Sequence, residues 1–126
     1  MSFKFYNPNP CHRNTNDCTV RGISLLTGKS WHDTYLGIVM VGYELCGMPE
    51  TNFVWMEYLK RNGFKRYIIE DTCPYCYRVK DFCIDHPKGK YLLATGNHVV
   101  AVCDGDYYDI WDSGNEVPVF YFRKEI

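Results

Sequence analysis

The apolar positions of this chain change their spacing about halfway along. Up to residue 61 they recur at intervals of three and four; from residue 64 onward they alternate or run together in short stretches. The first spacing predicts helices and the second predicts strands. Residues 6–17 (YNPNPCHRNTND) are rich in Asn and Pro and predict a loop leading into a helix, with Asn16 or Asp17 as its N-cap. That helix carries Cys18, Val20, Ile23, Ser24, Leu25 and Leu26, and Thr27-Gly28 stops it. Ser30 caps a second helix holding Trp31, Tyr35, Ile38, Val39 and Gly42, which ends near Cys46. A third runs from about Thr51 to Arg61, with Phe53, Trp55, Met56 and Leu59, and Asn62-Gly63 ends it.

Beyond it, residues 64–70 predict a strand, 71–77 (DTCPYCY) a turn and 78–86 a short helix ended by Pro87 and Gly89. Strands follow at 90–95, 98–103 and 107–112, with Gly96-Asn97 and Asp104-Gly105 as turn signals. A last strand spans 117–123, after the loop at Ser113-Gly114-Asn115. Helices first and sheet second predict a single α+β domain over residues 1–126, its N-terminal helices packed on an antiparallel sheet of four to five strands.

Composition narrows the classes of partner. The chain is 46% hydrophobic and 23% charged, which are globular values, and its 17% aromatic content favours strands and a sticky groove. A net charge of -1 without any Lys/Arg run argues against nucleic acid as a partner. The opening Met1-Ser2-Phe3-Lys4-Phe5 has no apolar leader and no stretch approaches a membrane span, so the expectation is a cytoplasmic protein with no membrane partner. In that setting the 7 Cys, an odd number, read as reduced thiols rather than a disulfide frame.

Among those thiols Cys18 stands apart, because it opens a predicted helix. Unpaired amides in a helix's first turn favour a thiolate, and the backbone N–H of Cys18 would point where an oxyanion forms. Packing in a core is the plainer role for such a Cys. His98 opens the strand Val99-Val100-Ala101-Val102, and the next strand offers it two carboxylates. In an antiparallel hairpin the sum of paired residue numbers is constant. If Cys103 pairs with Asp106, His98 falls opposite Trp111 and Asp109 is its diagonal neighbour. If Cys103 pairs with Tyr107, Asp112 falls opposite His98. A three-residue loop with a bulge makes the second register credible, so Asp112 is the first choice and Asp109 the reserve. Trp111 and Arg21 are candidates for the wall of a substrate groove, with a salt bridge to the sheet as the alternative for Arg21.

The stretches Asp17-Cys18-Thr19-Val20-Arg21, Gly96-Asn97-His98-Val99-Val100-Ala101-Val102 and Tyr107-Tyr108-Asp109-Ile110-Trp111-Asp112-Ser113-Gly114 resemble small uncharacterised proteins of gut Firmicutes and their phages. Those proteins in turn resemble papain-like cysteine peptidases of the bacteriocin-processing type. The resemblance extends over nearly the whole chain, including Tyr6-Asn7-Pro8-Asn9-Pro10 and His86-Pro87-Lys88-Gly89-Lys90-Tyr91. It implies a papain-like fold and a hydrolase acting on a protein or peptide amide, with Cys18 as nucleophile, His98 as base and Asp112 as orienting group. It also admits a non-catalytic relative, such as a phage-encoded modulator of a host protein. One position departs from the pattern. Papain-type sites place a Gln several residues before the Cys, whereas the position six before Cys18 is His12 and no Gln lies upstream. Asn16, Asn14, Asn9 and Asn7 are the amide side chains left to serve as oxyanion donors.

Two rival readings use other thiols. Cys73-Pro74-Tyr75-Cys76, between a strand and a helix, resembles a glutaredoxin redox site, and Val117-Pro118 falls where such a fold wants its proline. Too much chain precedes the motif and too little follows Pro118 for that fold. Cys73, Cys76, Cys83 and His86 have spacings that would suit a structural zinc ion. No other cofactor is expected.

Overall fold

The computed structural model describes residues 2–124. Their order is β1 (Phe3–Phe5), α1 (Cys18–Thr27), α2 (Trp31–Leu45), α3 (Asn52–Arg61), β2 (Phe64–Ile68), α4 (Val79–Asp85), β3 (Lys90–Ala94), β4 (Val99–Cys103), β5 (Asp106–Asp109) and β6 (Phe120–Lys124). The α+β class is as predicted, but the sheet has six strands, in the order β1-β5-β4-β3-β6-β2. Its extra strand is β1, which pairs parallel to β5 with Phe3 opposite Tyr107, so the sheet is mixed rather than wholly antiparallel. Three residues show no readable period; the free edge of β5 and the packing of Phe3 against Tyr107 hold them in place.

Alternation along the central strands explains why the sheet is covered on both faces. Leu92, Ala94, Val99 and Ala101 join α1, α2 and α3 in one core, with Ile23, Ile38, Val54, Trp55 and Leu59. Leu93, Val100 and Val102 face the other way and pack with Val79 and Phe82 of α4 and with Tyr107. The runs Tyr91–Ala94 and Val99–Val102 are therefore buried throughout. A strand covered on both faces has no need of a polar side.

α1 lies close against β3 and β4 because of Gly22. A Cβ there would sit 2.5 Å from Leu92 Cδ1. This tight seat brings the first turn of α1 to the end of the sheet where β4 begins and β5 finishes. Among the described residues no helix is long and apolar enough to cross a membrane.

The β4–β5 hairpin settles the register. Cys103 lies opposite Asp106, and the turn between them is the two residues Asp104 and Gly105, with φ of 50° and 82°. Positive φ at both positions is the turn geometry that matches strand twist, and Asp-Gly is among the sequences that form it most easily. The three-residue loop that would have placed Asp112 opposite His98 does not form. β5 also ends at Asp109, short of the predicted 112, because the Asp109 carboxylate turns back to accept the N–H of Ile110 at 2.8 Å. Val117 and Pro118 stand in the following loop, outside the last strand.

Candidate active site

Cys18 is the first residue of α1 and is half-buried at the sheet's end. Asp17 occupies the N-cap position, yet its side chain caps nothing. Its carboxylate instead accepts Trp31 Nε1–H at 2.8 Å through Oδ2 and binds the Arg21 guanidinium through Oδ1. The opening amides of α1 are thereby left uncapped beside the Cys18 sulfur. An uncapped helix start carries partial positive charge, which favours a thiolate.

His98 is the second component. Its Nε2 donates to Asp109 Oδ2 at 2.6 Å, so Nδ1 is the ring nitrogen left to face Cys18. Burial works to raise the Cys18 pKa. Hydrogen bonds from the His98 ring and the Val99 N–H, with the charges of His98 and Arg21, outweigh it and leave the thiol below its ordinary value. Burial would likewise lower His98, but its bonds to Asp109 and Cys18 push it up to about 9. The two shifts act in the same sense, each favouring the charged form of its group, as a thiolate–imidazolium pair requires.

Asp109, not Asp112, is the carboxylate that orients His98. It is 2% exposed, and both of its oxygens are fully engaged. Oδ2 accepts His98 and the Ser113 hydroxyl, the latter at 2.8 Å; Oδ1 accepts the Ile110 N–H and, at 3.2 Å, Arg21. Burial opposes ionisation of Asp109, yet the His98 contact and these bonds hold it below the usual carboxylate range. Asp112 lies elsewhere: Oδ1 accepts the Tyr107 hydroxyl at 2.6 Å and the Gly114 N–H at 3.0 Å. It tightens the loop after β5 and has no bond to His98.

Arg21 is 5% exposed and bridges Asp17 to Asp109. The salt bridge to the sheet is as expected, and Arg21, already paired twice, also borders the cleft walled by Trp111. Sequence reading missed the roles of Asp17 and Trp31. The i,i+4 spacing of Asp17 and Arg21 was the available signal for the first, and nothing in the spacing of Trp31 announces its bond to Asp17. Trp111 does wall the site, its ring 5.1 Å from the His98 ring and 44% exposed.

Two clefts meet at the Cys18–His98 pair, and Asn16 borders both. One, of about 190 Å³, is bordered by Glu50, Asn52, Trp55, Asn97 and Phe120. The other, of about 270 Å³, is bordered by Asn14, Ile110 and Trp111. Among the expected oxyanion donors, Asn16 and Asn14 thus border the site. Asn9 does not: it is buried, its Oδ1 accepts the Cys11 N–H at 2.9 Å, and it borders neither cleft.

Comparison with protein-family models, curated proteins and solved structures finds no match.

The rival thiols are placed differently from their predicted roles. Cys73 and Cys76 are exposed in the loop before α4, which starts only at Val79, so neither sits at a helix N-terminus. Cys83 is buried beneath the sheet, and burial pushes its thiol up to about 11. His86 is stacked on Phe82 at 3.8 Å between ring centres, with Nδ1 2.9 Å from the Phe82 carbonyl. Among the described residues no three His, Cys, Asp or Glu side chains are grouped to hold a metal ion, so the proposed zinc set is not assembled.

Proposed function

We propose that this chain is a papain-like cysteine hydrolase working through Cys18, His98 and Asp109. The observation that carries the proposal is the continuous line from an uncapped helix start to Cys18, His98 and buried Asp109, set where two clefts meet. Each link has a chemical task. The Cys18 thiolate attacks an amide carbonyl and forms a thioester. The protonated His98 gives its proton to the departing amine, then takes one from the water that releases the acid. Asp109 fixes which ring nitrogen faces the sulfur and stabilises the imidazolium. The Cys18 N–H and the Asn16 amide serve as the oxyanion donors in this reading.

A scissile backbone amide makes the protein a peptidase; a side-chain amide makes it a deamidase. Both outcomes are read by incubating the protein with a complex peptide mixture and mapping the products by mass spectrometry. New N-termini, or Gln and Asn converted to their acids, should appear with the wild type and vanish with Cys18→Ala and His98→Ala. If no product separates the wild type from Cys18→Ala, the hydrolase reading fails and a non-catalytic binding role replaces it.

A further inference from the structure

The two clefts beside Cys18 differ in charge. On the Glu50 side the ionisable groups at the border, among the described residues, are Cys18, His98 and Glu50. A thiolate and an imidazolium cancel, which leaves the carboxylate of Glu50 as the net charge of this cleft. Among the described residues Glu50 has no hydrogen-bond or ion-pair partner. Trp55 and Phe120, parallel within 11° at 6.5 Å, form an apolar base. Asn52 and Asn97 add neutral amides at the border, and the Asn52 Oδ1 accepts Trp55 Nε1–H at 3.1 Å. The other cleft is bordered by Arg21, whose guanidinium is held from behind by the buried carboxylates of Asp17 and Asp109, and among the described residues no carboxylate borders that side.

We propose that the Glu50 cleft is a subsite for a basic side chain, Lys or Arg, next to the amide under attack. The inference rests on the hydrolase reading and adds a substrate class to it. Lys and Arg carry an apolar stem and a cationic head. The stem suits the Trp55–Phe120 base. The head reaches Glu50, with the Asn52 and Asn97 amides beside it. An acidic side chain would meet Glu50 with like charge, and a purely aliphatic one would leave its carboxylate and amides without a partner.

Three methanethiosulfonate reagents of similar reach test the subsite: 2-(trimethylammonium)ethyl, 2-sulfonatoethyl and uncharged ethyl. Their rates at Cys18 are resolved by peptide mapping in the wild type, Glu50→Gln, Glu50→Lys and the remote control Glu116→Gln. The cationic-to-anionic rate ratio should fall about fivefold in Glu50→Gln, the size expected for one partly screened charge at short range. It should fall further in Glu50→Lys and stay at the wild-type value in Glu116→Gln; each charged rate is divided by the uncharged rate of the same variant, which cancels any change in the thiol itself. A ratio that stays within twofold across the Glu50 variants overturns the subsite and leaves the hydrolase reading standing. An uncharged reagent that labels Cys18 no faster than Cys103 overturns both.

Discussion

Asp109 holds His98 with one carboxylate oxygen and Arg21 with the other, at 2.6 Å and 3.2 Å. The residue that orients the imidazole is thus tied to the helix that carries the thiol. Replacing Asp109 with Asn keeps the shape but removes the charge that stabilises the imidazolium. The Asp109→Asn variant should lose on the order of a hundredfold or more in Cys18-dependent turnover. Asp112→Asn should stay within a few-fold of the wild type, because Asp112 serves Tyr107 and Gly114. Parallel kinetics of the two variants check the assignment, and equal losses would refute it.

Arg21 makes a different prediction, one about stability. Arg21→Met would leave Asp17 and Asp109 facing each other in a buried site without their cation. The expected loss is about 3–5 kcal/mol, the range for breaking a buried ion pair from one side. Arg21→Lys keeps the charge but cannot serve both carboxylates with a planar fork, so its loss should fall between the two. Urea denaturation at neutral pH measures both.

At Gly22 the prediction concerns packing. Gly22→Ala would press a methyl against Leu92 and lift α1 from β3 and β4. Overpacking of this kind costs about 1–3 kcal/mol. The same displacement moves Cys18, so its alkylation should slow even in buffer where the variant is fully folded. Stability loss with an unchanged Cys18 rate would separate α1's seat from the site's geometry.

Cys73 and Cys76 should be dispensable. Both are exposed and belong to neither core. The Cys73→Ser/Cys76→Ser double variant should hold its stability within about 0.5 kcal/mol, as is usual for surface positions. Its Cys18 reactivity should equal the wild type's. A large loss in either, by thermal melting or by alkylation, would give this loop a role that its position in the fold does not suggest.

Much of this arrangement was legible in the sequence. The α1 boundary at Gly28, the Ser30 cap and the place of the turn at Asp104-Gly105 follow from local chemistry, and each is observed: Gly28 has φ 73°, Ser30 Oγ accepts the Asp33 N–H at 3.1 Å, and Asp104 and Gly105 both have positive φ. Cys18 and His98 were found because a helix start and a strand start mark them. The choice between Asp109 and Asp112 was not legible, since it depended on one residue of loop length. The expectation took a three-residue loop with a bulge, which favours Asp112; the two-residue turn forms instead and brings Asp109 to His98. β1 was invisible for a different reason: Phe3–Phe5 become a strand only through the distant partner Tyr107–Asp109. The Asp17–Arg21–Asp109 link joins residues far apart in the chain, and no spacing within a single element encodes it.

The pH dependence of Cys18 alkylation by iodoacetamide, resolved against Cys103, tests the central claim most directly. The sign follows from the two shifts. Thiolate forms as pH rises through the lowered Cys18 pKa, while the His98 imidazolium persists until about 9. Cys103, which burial pushes up, should still be protonated and slow over that window. The expected result is a Cys18 rate that exceeds the Cys103 rate at neutral pH, with a midpoint below that of a free thiol. In His98→Gln that midpoint should move up. A Cys18 midpoint at or above the free-thiol value, with a rate no faster than that of Cys103, would contradict the account.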